Sequence, residues 1–250
     1  VDITPTDEIP AVVSAARSAQ TSWGAMSVAE RTKILAPAAK RFEEAGEKLA
    51  RLITLENGKV IAESRLETQY IASSIPDMLE EIVQALEPIE KSDDEHVSTI
   101  YRDPLGVAAC ISPWNFPIAM PHQQVIPALV AGNTAVLKPS EETPLCAQAY
   151  ADILNEFLPP DVLRVVHGAD AQGAALTHAE VDLIVFTGSR EVGKKIHAAA
   201  SDRLVRVILE LGGKDPLIVL DGADIESAAD YATHNTFRNA GQACVSTERV

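Results

Sequence analysis

Residues 181–200 have the sequence VDLIVFTGSREVGKKIHAAA, in which a short apolar run precedes Thr-Gly-Ser and a helix-compatible segment. The apolar run, residues 181–186, is continuous rather than alternating, which is typical of a strand that is buried on both faces. Residues 190–201, which follow the Thr-Gly-Ser turn, are compatible with a helix. A buried strand followed by a helix predicts one βα unit of a parallel sheet.

The same pattern recurs on both sides of this unit. After Pro104, short apolar runs are separated mostly by helix-compatible segments. The runs are LGVAACI (105–111), TAVL (134–137), LRVV (163–166), VDLIVF (181–186), VRVIL (205–209) and PLIVL (216–220). This alternation predicts right-handed βαβ units and a parallel α/β sheet with helices on both faces. Because ligands bind such sheets beyond the carboxyl ends of the strands, the residues after each run are the functional candidates.

The sequence pattern of the first 86 residues predicts helices. Residues 27–30, Ser-Val-Ala-Glu, form a capping-box pattern, and apolar residues recur behind it at helical spacing. A further helix is expected from about residue 60 to residue 86. Residues 87–103 are charged and include a β-prone stretch, which predicts a projecting hairpin or extended arm.

The composition argues against several classes of function. The chain of 250 residues has 21 Lys and Arg against 36 Asp and Glu, a formal net charge of −15, so its surface repels nucleic acid and anionic membranes. No apolar stretch approaches the length of a membrane-spanning helix. The first residues lack the basic and apolar regions of a signal peptide, so we expect a cytoplasmic protein. The three cysteines and six histidines are too scattered to predict a metal site.

Polar residues follow several predicted strands. Asn115, after the first run, is either an oxyanion donor or the cap of the next helix. Lys138 and Glu141, after the second run, either clamp the sugar hydroxyls of a nucleotide or form a solvated turn. A carboxylate there would repel a 2′-phosphate, so Glu141 favours NAD over NADP. The turn 187–189, Thr-Gly-Ser, precedes a helix N-terminus whose free N–H groups can bind a pyrophosphate.

Two further residues are candidates for a reacting centre. Glu210 follows the run VRVIL and precedes two glycines, so it is either a movable general base or part of a hinge. Cys110 and Cys146 fall within a predicted strand and helix and are expected to be inert core thiols. Cys244 instead lies in a glycine-containing segment after a predicted helix, but no histidine is paired with it in sequence. From these residues alone, a nucleophilic role for Cys244 stays open.

Taken together and in this order, the motifs resemble those of the aldehyde dehydrogenase superfamily. The matching segments are PWNFP (113–117), PALVAGNTAVLKPSE (127–141), FTGS-x-x-x-G (186–193), ELGGK (210–214) and F-x-N-x-GQ-x-C (237–244). The resemblance covers nearly the whole chain from about residue 6. It implies a Rossmann-like NAD-binding domain (1–86 and 104–209), an oligomerisation arm (87–103) and the beginning of a second α/β catalytic domain (210–250).

The resemblance also implies a role for each motif residue. Cys244 would be the nucleophile that forms a thiohemiacetal and then a thioester, Asn115 would hold the oxyanion, and Glu210 would activate water. NAD would be the cofactor, with NADP less expected. The expected cofactor contacts are Ile111, Ser112, Pro113, Trp114, Lys138, Ser140, Glu141, Gly168, Phe186, Thr187, Gly188, Ser189, Val192, Leu211 and Gly212. A helix after PWNFP would place three further residues on one face, where they either line the near side of a substrate tunnel or pack in the core. These are Phe116, Met120 and Gln124.

The chain departs from the family pattern in two ways. Asp170 stands where many members have a second glycine, and members continue well beyond the nucleophile, whereas this chain ends six residues after Cys244. We therefore expect an incomplete chain of an NAD-dependent dehydrogenase that acts on a small-molecule aldehyde and forms a homodimer or homotetramer when complete. One alternative is a non-catalytic or partner-requiring nucleotide-binding fragment. Another is a dehydrogenase that transfers the acyl group to CoA, which Glu210 disfavours.

Overall fold

A parallel five-stranded sheet with helices on both faces forms the centre of the molecule. The computed structural model describes residues 1–250. The strands are β1 (Ile89–Ser92), β2 (Val97–Ile100), β3 (Val107–Ile111), β4 (Thr134–Lys138), β5 (Leu163–Val165), β6 (Leu183–Gly188) and β7 (Arg206–Leu211). The helices are α1 (Ile9–Ala25), α2 (Val28–Leu35), α3 (Ala38–Asn57), α4 (Ile61–Leu86), α5 (Ala119–Val130), α6 (Pro144–Asn155), α7 (Asp170–His178), α8 (Arg190–Ser201) and α9 (Ile225–Phe237), followed by a 3-10 turn (Arg238–Gly241). The sheet has the order β5-β4-β3-β6-β7 with every pair parallel, which confirms the predicted α/β fold.

The carboxyl ends of the central strands lie in one row across the sheet. Consecutive pairing partners in this row are Lys138, Ile111, Phe186 and Leu209. β6 and β7 continue for two residues beyond it, where Thr187 pairs with Glu210. The segments that follow these strands therefore emerge along a single edge, the edge at which parallel sheets bind ligands.

Two apolar clusters fill the space between the sheet and its helices. On one face, α5 and α6 pack on the sheet, and the hairpin of α3 and α4 packs against those helices. On the other face lie α1, α7 and α8. Successive residues of a strand point to opposite faces, so Cys110 belongs to the first cluster and Ile111 to the second.

Strands β5 and β7 differ from the expectation that every strand is buried on both faces: Arg164 of β5 is exposed, and the exposure alternates along β7. Arg206, Ile208 and Glu210 are exposed, whereas the residues that alternate with them are half-buried against the second cluster. The reason is that β7 is an edge strand, with α8 packed on one face only. The strand also extends through Leu211, so Glu210 is part of the sheet.

The run PLIVL (216–220) does not form the strand that its composition predicted. Its backbone contacts are one isolated bridge between Pro216 and Arg249 and one hydrogen bond of 2.8 Å from the Leu217 N–H to the Arg249 carbonyl. Ile218 and Leu220 are 75% and 73% exposed. An apolar, β-prone run becomes a strand only when a partner strand pairs with it, and no second strand lies beside this one.

The N-terminal helices and the hairpin form as their local sequence patterns predicted. Ser27 Oγ accepts the Glu30 N–H at 3.2 Å and the Glu30 carboxylate accepts the Ser27 N–H at 2.7 Å, which is the predicted capping box. Strands β1 and β2 form an antiparallel hairpin in which every residue is exposed. The oligomerisation role of this hairpin stays a prediction. None of the helices combines the length and the apolar character that crossing a membrane requires.

A buried ion pair ties the hairpin of α3 and α4 to the start of α5. Lys59 Nζ lies 2.5 Å from Glu67 Oε2, and the two side chains are 1% and 2% exposed. Glu67 Oε1 accepts the N–H groups of Ile118 and Ala119, both at 3.0 Å, at the helix end where the dipole favours an anion. The Lys59 ammonium also lies 4.2 Å from the centre of the Phe116 ring, a cation–π contact. This pair therefore fixes the end of the loop that follows β3.

We expect Lys59→Met to lower the free energy of unfolding by about 3–5 kcal/mol, because it leaves the Glu67 carboxylate buried without a counterion. Lys48→Met is the matched control, since it removes an exposed lysine from α3, and it should change this free energy by less than about 0.5 kcal/mol. Urea unfolding followed by circular dichroism measures both. Equal unfolding free energies for the two variants would contradict the role assigned to the pair.

Candidate active site

A cleft of about 810 Å³ opens against the uncovered face of β6 and β7. Its floor consists of alternate residues of the two strands, which share one face of the sheet: Leu183, Val185, Thr187, Ile208 and Glu210. Residues of α4 and α5 form one wall, and the segment around Asn239 and Cys244 contributes the other. The cleft is thus built from sheet, helix and loop segments that are far apart in the sequence.

The cleft brings together five of the six residues predicted for catalysis and substrate contact. These are Cys244, Glu210, Phe116, Met120 and Gln124. Cys244 is partly exposed there, whereas Cys110 and Cys146 are fully buried in the core. Burial raises the pKa of Cys110 to about 12, so that thiol is not available as a thiolate. Cys244 is the one cysteine that a ligand in the cleft can reach.

Asn115, the sixth residue, connects the loop after β3 to the loop that carries Cys244. Its Nδ2 donates a hydrogen bond of 2.8 Å to the Gln242 carbonyl. In return, Asn239 Nδ2 donates to the Asn115 carbonyl at 3.0 Å and to the Gln242 carbonyl at 3.2 Å. A side-chain amide has two N–H groups, so one N–H of Asn115 holds the cysteine loop and the other is free for a ligand.

A left-handed turn precedes Cys244. Residues 239–241 have φ values of 53°, 56° and 76°, and the first two are Asn and Ala rather than glycine. A non-glycine residue in this region costs about 1–2 kcal/mol. Glu63 of α4 accepts the Asn239 N–H at 2.8 Å, and Gln242 Nε2 donates to the Asn239 carbonyl at 3.1 Å. These bonds hold the backbone in a conformation that it would not adopt unaided.

Gln124 joins the ends of two strands underneath the cleft. Its Nε2 donates to the Ile111 carbonyl at 3.2 Å and to Thr187 Oγ1 at 3.0 Å. The residue is 5% exposed, and its Oε1 has no hydrogen-bond partner in the chain. Gln124 therefore links β3 to β6 and also lines the cleft.

At the strand edge beside the cleft, some buried polar groups lack hydrogen-bond partners within the chain. The Lys138 side chain is 6% exposed, and the carboxylate that pairs with it, Glu141 Oε2, is 3.6 Å away, longer than a hydrogen bond. Burial lowers the pKa of Lys138, while the charge of Glu141 opposes that effect. Ser112 donates its N–H to the Lys138 carbonyl at 3.1 Å, but its buried Oγ has no partner. A ligand rich in hydroxyl and phosphate groups would supply the missing partners.

The turn from β6 to α8 presents a helix N-terminus at the same edge. Ser189 caps α8, with its Oγ accepting the Val192 N–H at 3.3 Å. A Cβ at Gly188 would lie 2.5 Å from the Phe186 ring, so the turn requires glycine for steric reasons. Leu211 of β7 packs closely against Gly193 in the next turn of α8. The free N–H groups and the dipole of α8 suit an anionic group such as a phosphate.

The remaining residues predicted to bind a cofactor lie along the strand edge but do not line the cleft. Trp114 is partly exposed, and its carbonyl accepts the Asn57 side-chain amide at 2.6 Å. Ser140 Oγ accepts the Glu142 N–H at 3.3 Å, as part of a local turn. The others in this group are Pro113, half-buried; Gly168, with φ of 142°; and Gly212, which is exposed. No cluster of three His, Cys, Asp or Glu side chains is placed to hold a metal ion.

Comparison with known proteins places this architecture in one family. The family model described as "Aldehyde dehydrogenase family" matches residues 2–250. The chain belongs to the aldehyde dehydrogenase family.

Several members of the aldehyde dehydrogenase family are similar to the chain over nearly all of its length. The mitochondrial succinate-semialdehyde dehydrogenase of Arabidopsis thaliana is 41% identical over 249 residues, which cover 98% of this chain and 47% of that protein. The NADP(+) succinate-semialdehyde dehydrogenase GabD of Escherichia coli (strain K12) is 40% identical over 98% of this chain and 52% of its own length. The crystal structure of PnpE in complex with nicotinamide adenine dinucleotide has a TM-score of 0.92 at 37% identity, covering 98% of this chain and 51% of that one. The chain spans about half the length of the curated relatives it matches.

The sequence patterns did not reveal how much α4 contributes to the site of this aldehyde dehydrogenase family member. Glu63, Glu67 and Tyr70 of α4 all line the cleft. Their spacing of four and three residues places them on one helix face, which was the available signal. That spacing does not show which loops this helix face contacts, so the roles of the three residues could not be assigned from the sequence.

We expect Gly188→Ala to lower the free energy of unfolding by about 1–3 kcal/mol, because the new methyl group would displace the buried Phe186 ring. Gly46→Ala, in the interior of α3, is the control. Its nearest contact would be an ordinary 3.7 Å to Thr68, and it should raise stability by about 0.5–1 kcal/mol. Urea titrations of both variants give the comparison, and an unchanged or raised stability in Gly188→Ala would be contrary to the steric argument.

Proposed function

We propose that the chain provides the cofactor-binding and nucleophile-bearing part of an NAD-dependent dehydrogenase that oxidises an aldehyde to a carboxylic acid. The observation that carries the proposal is the convergence of three chemical groups from separate segments. Cys244 and Glu210 line one cleft, and Asn115 is hydrogen-bonded to the loop that carries Cys244. A nucleophile, a base and an oxyanion donor are the set that acyl chemistry requires.

Cys244 begins the reaction. Its thiolate attacks the carbonyl carbon of the aldehyde, and the carbonyl oxygen becomes the oxyanion of a thiohemiacetal. Two donors are free to bind this oxygen: the second N–H of the Asn115 amide and the Cys244 backbone N–H, which makes no hydrogen bond within the chain. Donors that are already oriented stabilise the developing charge without reorganisation.

The residues of the strand edge fit a nicotinamide dinucleotide. The support is the buried Lys138 ammonium and the unpartnered Ser112 hydroxyl, together with the glycine turn before α8. When bound, NAD would supply the acceptor for the hydride that leaves the thiohemiacetal carbon. The protein then carries the acyl group as a thioester of Cys244.

Glu210 completes the cycle by activating water. It pairs with Thr187 in the sheet and lies at the exposed end of β7, next to the cleft. Its carboxylate takes a proton from the water that attacks the thioester, and the carboxylic acid and the free thiol are released. A base in this position favours hydrolysis over transfer of the acyl group to CoA, which supports the hydrolytic reaction.

Glu141 supports NAD rather than NADP as the cofactor. It lies 3.6 Å from Lys138 and is half exposed, so a sugar hydroxyl bound by the lysine would be close to the carboxylate. A 2′-phosphate at that position would be repelled. The names of the relatives do not decide the question, because GabD carries the NADP(+) designation and PnpE was solved with NAD.

The substrate is proposed only as a small-molecule aldehyde. Phe116 and Met120 line the cleft and offer apolar contact to its carbon chain. The relatives differ in this respect, since their names include succinate semialdehyde and lactaldehyde. Self-association into a homodimer or homotetramer is proposed to use the hairpin of β1 and β2, whose backbone edges and apolar side chains are exposed.

The central test is turnover by the natural protein that contains these residues, after its intact mass has been compared with 26.7 kDa. We expect it to form NADH and a carboxylic acid from an aldehyde without CoA, and Cys244→Ala to reduce the rate at least about 10³-fold. Cys146→Ala, which removes a buried thiol outside the cleft, is the control and should retain turnover. Appreciable activity in Cys244→Ala would overturn the proposal, and a thioester product formed only with CoA would support the acylating alternative.

We expect Glu141→Gln to reduce the preference for NAD over NADP by about tenfold, because it removes one negative charge near the 2′ position of the sugar. Glu142→Gln is the matched control, since it neutralises the neighbouring exposed carboxylate. Isothermal titration of each variant with NAD and with NADP gives the ratio of dissociation constants. A ratio that responds equally to both substitutions would count against a specific role for Glu141.

A further inference from the structure

A run of left-handed backbone ends three residues before the proposed nucleophile, Cys244. Residues 239–241 are the only three consecutive residues with positive φ, and two of them are not glycine. The other non-glycine residues with positive φ, Asp161 and Leu204, occur singly. A run of this kind persists only where surrounding groups hold it, and such runs concentrate at functional sites.

One carboxylate from a distant helix holds the first residue of this turn. Glu63, in the first turn of α4, is 176 positions from Asn239 in sequence, and its Oε1 accepts the Asn239 N–H at 2.8 Å. No ion pair of the structure includes Glu63. Its side chain makes this one hydrogen bond, so the Asn239 backbone is its sole polar partner in the chain.

Asn239 also contacts the loop that carries Asn115 and the loop that carries Cys244. Asn239 is buried, and its side-chain amide donates to the carbonyls of Asn115 and Gln242. The Asn115 amide donates to the same Gln242 carbonyl at 2.8 Å. A displacement of Asn239 would therefore change the position of Asn115 and of the backbone two residues before Cys244 at the same time.

We propose that Glu63 is a positioning residue for the nucleophile: by accepting the Asn239 N–H, it keeps residues 239–241 left-handed and holds Cys244 in register with the Asn115 amide. The proposal rests on the roles proposed above for Cys244 and Asn115. Glu63 acts through Asn239 and takes no part in proton transfer or covalent chemistry.

A second explanation for Glu63 must be separated from this one. Any carboxylate in the first turn of a helix interacts favourably with the helix dipole, so Glu63 could serve α4 alone. Glutamine keeps the acceptor oxygen but loses the charge. If Glu63 positions the turn by a hydrogen bond, Glu63→Gln should work nearly as well as the wild type, whereas Glu63→Ala should not.

The experiment compares Glu63→Ala, Glu63→Gln and the control Glu81→Ala, which removes an exposed carboxylate from the same helix. Two measurements are made on each variant of the natural protein. The first is hydrogen–deuterium exchange of the peptides that cover residues 237–246, and the second is steady-state kinetics. We expect Glu63→Ala to raise amide exchange in this segment about tenfold and to lower kcat roughly 10- to 100-fold, with the KM for NAD within about twofold of wild type. Glu63→Gln should stay within about threefold of wild type in kcat, and Glu81→Ala should match wild type.

A rescue variant keeps the test decisive if Glu63→Ala is poorly folded. Glycine adopts positive φ without steric cost, so Ala240→Gly in the Glu63→Ala background should restore part of the lost kcat. Wild-type exchange and wild-type kcat in Glu63→Ala would overturn the proposal, as would a Glu63→Gln variant that falls as far as Glu63→Ala. Retained activity in Cys244→Ala would instead overturn the proposed function, while the exchange data would still report on the turn.

Discussion

The buried carboxylate of Glu67 is the constraint on which the geometry of the site depends. A carboxylate removed from water is costly unless it is paired and hydrogen-bonded, and Glu67 meets both conditions only if Lys59 and the start of α5 are in place. The Lys59 ammonium in turn lies over the Phe116 ring. The helical hairpin, the end of the PWNFP loop and the first turn of α5 must therefore form together, and Asn115 lies on the loop that they fix.

The same type of contact recurs twice on this hairpin. Glu56 accepts the N–H groups of Leu145 and Cys146 at 2.7 and 2.8 Å, at the N-terminus of α6. Glu63 accepts the N–H of Asn239, before Cys244. Three carboxylates of α3 and α4 thus bind backbone donors in segments that follow β3, β4 and α9. The N-terminal helices cover the sheet and also set the positions of the segments along its functional edge.

Local sequence patterns were sufficient for most of the elements and for the order of the candidate residues. Continuous apolar runs predicted the five parallel strands, and the common ends of those strands then placed Lys138 and Thr187 along one edge. The run at 216–220 was predicted wrongly because apolar character does not supply a pairing partner. The three carboxylate contacts span separations of about 51, 89 and 176 residues. Helical spacing shows that such carboxylates share a face, but their partners are set by tertiary packing, which no local pattern contains. The chemical roles of Cys244, Glu210 and Asn115 stay predictions that the geometry supports.

Two kinds of structure position the residues of the candidate site: a strand holds Glu210, and loops hold Asn115 and Cys244. Glu210 is held by the ladder of the sheet, where its pairing with Thr187 fixes its position along the strand. Asn115 and Cys244 have no ladder, because both lie on loops. Their relative position depends on side-chain amides that bind carbonyl groups and on a carboxylate that binds a backbone N–H. Each of these contacts has a backbone atom as one partner, so together they fix the path of the loops, and none of them uses the Cys244 thiol, which stays free for chemistry. A strained turn held by such contacts has one well-defined conformation when they are made and many when they are lost, which makes the nucleophile loop the part of the site most sensitive to residues outside it.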